Sequence, residues 1–193
     1  RRCFEEACAF SAELNITLFE KPIRKAVVWL DPSEYRSTWL GNKSIYRLRM
    51  AMADESELII LAPGLRSFGE DAAIDAVIRS FGYRPSDEIQ NLVAREPALS
   101  QNLSAAAHLI HGSSEGRFTI SYAPGPGMTK EEIESVGYHY IDLEKAKSRY
   151  LPEGRLAGAG FYNTLDGEEY FFVPNPALGL WSTAERMASV PKP

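Results

Sequence analysis

Two apolar runs decide the fold: Lys25-Ala26-Val27-Val28-Trp29-Leu30 and Glu57-Leu58-Ile59-Ile60-Leu61-Ala62. Each is short and aliphatic, and each is stopped by turn formers, Asp31-Pro32-Ser33 after the first and Pro63-Gly64 after the second. Runs that are apolar throughout, rather than alternating, belong to strands covered on both faces. Between them, Ile45, Leu48, Ala51 and Met52 recur at helical intervals, which predicts a helix over about 42–54, flanked by Arg47 and Arg49. Strand, helix, strand is the unit that builds a parallel sheet.

The same alternation continues outward. Ile74, Val77 and Ile78 place a helix over 70–81, with acidic residues at its start and Gly82 at its end. Helical spacing recurs near 86–94 and 100–110. A strand over 117–122 breaks at Pro124-Gly125-Pro126-Gly127, and Thr129 with Glu132 has the form of a capping box. A strand at 138–141 and a helix from Asp142 to Tyr150 follow. Segments 156–163 and 168–173, joined across Asp166-Gly167, form an antiparallel hairpin. Towards the amino end, Phe4, Ala7, Cys8, Phe10 and Leu14 mark a helix ending near Asn15. The fold class is therefore α/β: a doubly wound, mostly parallel sheet with flanking helices, right-handed crossovers and a C-terminal antiparallel hairpin. A single domain over 1–175 and a loosely attached, proline-rich tail over 176–193 are expected.

Composition bounds the function. With 193 residues, 45% of them hydrophobic, the chain can bury a core of its own. A formal net charge of −5 argues against a nucleic-acid or anionic-membrane surface, since both need clustered Lys and Arg. No apolar run approaches the roughly 20 residues that cross a bilayer. Cys3 and Cys8 have no second pair with which to form a zinc site and are expected as reduced, buried thiols of a cytoplasmic protein. The chain opens in mid-helix rhythm, without Met or a signal pattern, which carries the expectation of an upstream part.

In doubly wound sheets ligands bind beyond the carboxyl ends of the strands. Two loops lie there, 31–42 and 63–69, and the first concentrates hydrogen-bonding and cationic groups. Thr38 and Asn42 are candidate donors to an anion; Lys43 and Arg36 are candidate carboxylate holders, Arg through its two-pronged fork. The competing reading is a solvated turn with a helix cap. His108 and His111 have metal-ligand spacing but no third ligand, and are read as partly buried residues at a helix end before Gly112. Pro124-Gly125-Pro126-Gly127 lacks a phosphate-loop register and reads as a rigid turn, and Gly158-Ala159-Gly160 as close packing in a strand. No Gly-x-Ser-x-Gly, triad, P-loop or metal constellation is present, so no catalytic or metal-ligating residue is assigned to this chain.

Several segments resemble the carboxy-terminal domain of the nickel-dependent lactate racemase family of 2-hydroxy-acid racemases and epimerases. They are Leu30-Asp31 at the strand end, Lys43 opening a helix and Glu57–Ala62 following it. Phe68-Gly69-Glu70-Asp71, Ile74-Asp75 and Ile78–Tyr83 come next, then Phe118–Ser121, the helix from Thr129 and Leu143–Ala146. The resemblance covers about residues 5–160. It implies an enzyme, an isomerase, whose amino-terminal domain carries a nickel-pincer nucleotide and the acid and base, with this domain closing over a small anionic substrate. The isolated chain would then be inactive, its partner being the enzyme's own amino-terminal domain. By position, Lys43 matches the substrate-holding lysine and Trp39 the aromatic wall; Leu40 stands where the family has Gln. Counted from Asp31 instead, the family's aromatic-Gln pair falls on Tyr35-Arg36, with an insertion of about four residues. Either way the Gln is lost, which favours a larger acid such as an aldonate or a uronate-derived sugar acid over lactate. Two other readings stand beside this one. One is a nucleotide-binding doubly wound module, disfavoured by the missing glycine-rich first loop. The other is a non-catalytic interaction domain with Trp29 or Trp181 on its surface.

Overall fold

The two apolar runs lie side by side at the centre of a six-stranded sheet. The computed structural model describes residues 2–151 and 158–189. Its strands are β1 (Ile16–Phe19), β2 (Ile23–Trp29), β3 (Met52–Ala62), β4 (Phe118–Pro124), β5 (His139–Tyr140), β6 (Gly160–Asn163), β7 (Glu169–Val173) and β8 (Leu180–Thr183). The main sheet runs β5-β4-β3-β2-β7-β6, and β1 pairs with β8 apart from it. Every pairing is parallel except β6 with β7, the expected hairpin.

Alternate residues of the central strands enter two separate cores. Ala26, Val28, Leu58 and Ile60 join the larger, with Ile45, Leu48, Val77, Ile78 and Leu109 from the helices of that face. Val27, Ile59 and Leu61 join the smaller, with Ala146 and Tyr150 of the helix Leu143–Tyr150. Chain direction explains the asymmetry. From β2 the chain winds outward through β3, β4 and β5; it then returns by Leu143–Tyr150 across the opposite face to reach β6 and β7.

Helix ends follow the sequence signals. Asp71 caps Ala72–Phe81 by accepting from the Ile74 amide, and Gly82 ends it at φ 65°. Thr129 and Glu132 form the reciprocal capping box, and Asp142 caps Leu143–Tyr150.

Four expectations are corrected. The helix over 42–54 is the shorter Lys43–Leu48, and Met52 already belongs to β3. There β3 bulges: Ile23 pairs with Met52 but Lys25 with Glu57, and Glu55 takes φ 55°. Acidic, solvent-facing Asp54 and Glu55 hide the strand's first half from an apolar pattern. The helix over 100–110 is a turn at Pro97–Ser100 followed by Leu103–His111. Cys3 and Cys8 are exposed, because the helix Arg2–Asn15 buries no residue. Residues 176–189 are packed rather than loose: β8 pairs with β1, and Trp181 is buried against Phe171. Arg186 of Ala184–Ser189 donates to the carbonyls of Arg49, Met50 and Met52 and pairs with Asp54 at 3.2 Å. Residues 156–157 of the expected hairpin strand, and 190–193, lie outside the described residues.

Candidate functional site

The loop after β2 is built by short-range bonds. Asp31 accepts from the amide and the hydroxyl of Ser33, and the hydroxyl foremost holds its carboxyl below the usual carboxylate range. Ser37 caps the short helix Thr38–Gly41 and donates its own proton to Glu70. The loop is then stitched to the one after β3. The Arg66 amide donates to the Arg36 carbonyl at 2.9 Å, Thr38 to Ser67 at 3.2 Å, and Trp39 to Phe68 at 2.9 Å. The two loops expected to hold ligand thus form one corner at the carboxyl ends of β2 and β3.

Two polar side chains pin this corner from inside. The Thr38 hydroxyl has one proton, and it goes to the Phe68 carbonyl at 2.9 Å. The 2.7 Å contact between Thr38 and Tyr83 must therefore be a donation from the tyrosine. Tyr83, having given its proton, accepts from His108 Nε2 at 2.9 Å. This order fixes the imidazole tautomer. Burial, and then the neighbouring His111, push the His108 pKa down to about 4, so the ring is neutral near pH 7.

Asn42 is the second pin, and it is fully buried. Tyr138 donates to the Gly112 carbonyl at 2.9 Å, so its oxygen accepts from Asn42 Nδ2 at 3.0 Å. Asn42 Oδ1 then faces Tyr122, which donates at 2.7 Å. Tyr138 stacks between Tyr83 and Tyr122, with ring centres 4.5 Å and 5.1 Å away. Burial pushes all three phenols well above their ordinary pKa. No signal in the local sequence marks this stack, whose members are supplied by three distant elements.

The six candidate residues accordingly divide. Thr38, Asn42 and Tyr35 turn inward, Tyr35 donating to Asn175 Oδ1 at 2.8 Å. Arg36 is exposed, while Trp39 and Lys43 are half-buried. Trp39 lies over His108 with ring centres 4.4 Å apart. The Lys43 side chain has no hydrogen bond or ion pair with another described residue. Asn42 keeps helical backbone angles between Thr38–Gly41 and Lys43–Leu48, so Trp39 and Lys43 stand about one turn apart. Of the two histidines, His108 is buried as expected, but His111 is exposed, its ring edge against Tyr46.

Arg36, Trp39 and Lys43 line none of the clefts described. The largest cleft described, about 800 Å³, lies elsewhere, at the amino ends of β2, β3 and β7. That cleft is floored by a closed ionic network: Lys25 to Glu168 at 2.5 Å and to Glu57 at 3.2 Å, with Arg149 on Glu168 at 2.9 Å. A network whose charges satisfy one another is a structural feature and offers no free group to a ligand. Among the described residues no group of three or more His, Cys, Asp and Glu is placed to hold a metal, and no helix is long and apolar enough to cross a membrane.

No family model and no curated protein matches this sequence. Solved structures do resemble the fold. A crystal structure of a Thermotoga maritima protein superposes with a TM-score of 0.68 at 24% identity, over 94% of this chain and 42% of its own. The lactate racemase apoprotein from Thermoanaerobacterium thermosaccharolyticum superposes with a TM-score of 0.58 at 13% identity, over 91% of this chain and 39% of its own. At these identities the likeness is one of fold. The chain spans about two fifths of the length of either neighbour.

Proposed function

We propose that this chain is the substrate-clamping domain of a racemase or epimerase acting at the 2-position of a 2-hydroxy acid. One observation carries the reading: in a fold shared with a lactate racemase apoprotein, Trp39 and Lys43 stand a turn apart on a corner held from within by Thr38 and Asn42. In this reading the Lys43 amine holds the substrate carboxylate or a hydroxyl, Trp39 walls one side and keeps water out, and Arg36 adds a second cationic contact. Thr38, Asn42 and Tyr35 serve the site by fixing the backbone that presents the other three.

The corner becomes a closed site only when a second surface covers it. That surface is assigned to the partner domain of the resemblance, together with the acid, the base and the nickel-pincer nucleotide. The described residues hold no group of three or more potential metal ligands, and the role proposed for this chain is confined to binding, orienting and excluding water. Leu40, standing where the family has Gln, and the added Arg36 favour a larger, more hydroxylated acid than lactate.

The test is turnover by the protein at its full natural length, on lactate and on aldonates, for wild type and Lys43→Ala, with metal analysis of the same preparation. Epimerisation of a sugar acid, lost in the variant, supports the reading. Unchanged turnover in Lys43→Ala removes the lysine's role, and a clear preference for lactate removes the substrate assignment.

A further inference from the structure

The helix Arg2–Asn15 stands out by what it lacks. It has fourteen residues and buries none of them. A lone helix of this length is marginal in water, so helices this short are held by an apolar face packed on something. Such a face exists here: Cys3, Ala7, Phe10 and Leu14 recur at spacings of four, three and four, with Phe4 beside them. Phe4, Phe10 and Leu14 are 67%, 64% and 67% exposed.

The apolar surface continues beyond the helix. Leu18 of β1 is 52% exposed, and a groove of about 400 Å³ runs between helix and strands, lined by Phe4, Cys8, Ser11, Ile16 and Leu180 among others. Together these side chains leave on the order of 400 Å² of apolar surface in water, comparable to the largest patch on an ordinary monomer, which is often functional. The strands repeat the point: β1 and β8 form a two-stranded parallel sheet, an arrangement stable only when packed on both faces. One face packs on the domain, through Phe19 and Trp181 against Phe171.

We propose that the helix Arg2–Asn15 and the outward side of the β1–β8 pair are the seat of a companion protein domain, which lays an apolar surface on Phe4, Phe10, Leu14 and Leu18. The charge of the helix argues for protein over lipid. It carries three Glu and one Arg, whereas a helix lying on an anionic membrane presents Lys and Arg. The neighbours argue for a companion domain over a second copy, since more than half of each neighbour's chain lies beyond the part that this fold matches. The proposal rests on the two-domain reading above and adds where the second domain sits.

Amide hydrogen exchange on the protein at its full natural length, compared with this 193-residue chain alone, tests it. The chain alone should sediment as a monomer in which residues 2–15 exchange freely, and these residues should be protected at least 100-fold at full length. Phe4→Glu with Phe10→Glu should abolish that protection while leaving β2, β3 and β4 protected, which separates loss of docking from loss of folding. Equal protection in the chain alone, a doubled mass with protection, or free exchange at full length each overturns the proposal. Exchange and turnover fail separately. A protected helix in a protein without epimerase activity keeps this seat and removes the proposed function; an active protein with an unprotected helix does the reverse.

Discussion

Asn42 Nδ2 donates to the hydroxyl of Tyr138, a residue 96 positions away, across 3.0 Å inside the protein. The bond joins the start of the Lys43 helix to the approach of β5, and Tyr122 closes it from the other side of the amide. Removing Asn42 leaves two buried phenols each short of a partner. Asn42→Ala is therefore expected to cost about 2–4 kcal/mol, and Tyr138→Phe about 1–2 kcal/mol. A double-mutant cycle by urea denaturation should show coupling of at least about 0.5 kcal/mol. Additive losses would mean that the two residues act independently.

Lys43 and Thr38 lie five positions apart and should behave oppositely. Lys43→Ala removes no hydrogen bond or ion pair and is expected within about 0.5 kcal/mol of wild type in stability, with its effect confined to turnover of the full-length protein. Thr38→Val leaves the Tyr83 proton without its acceptor in a buried site and should cost about 1–3 kcal/mol. Thermal melts of both variants decide the point. A destabilised Lys43→Ala would assign the lysine to the fold.

His108 gives a pH signature of known sign. Its folded pKa of about 4 lies below the ordinary histidine value of about 6.5. The unfolded chain therefore takes up a proton first as pH falls, and stability present above pH 6.5 is lost between there and about 4. The loss is expected to reach about 2–3 kcal/mol by pH 4. His108→Gln keeps an N–H donor without a titrating ring and should flatten that part of the stability–pH profile; an unchanged slope would assign it to another group.

Glu168 predicts a second, more acidic effect. Burial alone would raise its carboxyl, but the bonds from Lys25 and Arg149 outweigh burial and hold it below the usual range. Its contribution is thus full above the ordinary carboxylate pKa of about 4.3 and lost as pH falls through the lowered value. Lys25, raised by its bonds to Glu168 and Glu57 against the effect of burial, gives nothing up until strongly alkaline pH. The stability gap between wild type and Glu168→Gln should accordingly narrow below pH 4. A gap constant down to pH 3 would mean that the ion pair contributes nothing.

The sheet was legible wherever physics acts locally. Val27, Val28, Ile59 and Ile60 announce buried strands by their run, and Asp71, Gly82, Thr129 and Asp142 punctuate helices by bonds to neighbours within four positions. The amino-terminal half of β3 was not legible, because a bulge that sets two residues of β2 against five of β3 destroys any simple period. The corner was half legible. Its place follows from the strand ends, and Lys43 does open a helix. The inward turn of Thr38 and Asn42 depends on Tyr83, Tyr122 and Tyr138, partners 45, 80 and 96 positions away, and nothing in the loop distinguishes a side chain that greets a ligand from one that greets a tyrosine.

The one-way order of donors from His108 to Phe68 has a practical yield. An imidazole held in a single tautomer, shielded from water and lying under Trp39, should give its ring proton a distinct and slowly exchanging magnetic resonance. A molecule that displaced the Trp39 ring would change the ring-current shift at that proton. Such a resonance would let a ligand at the corner be detected in unlabelled material.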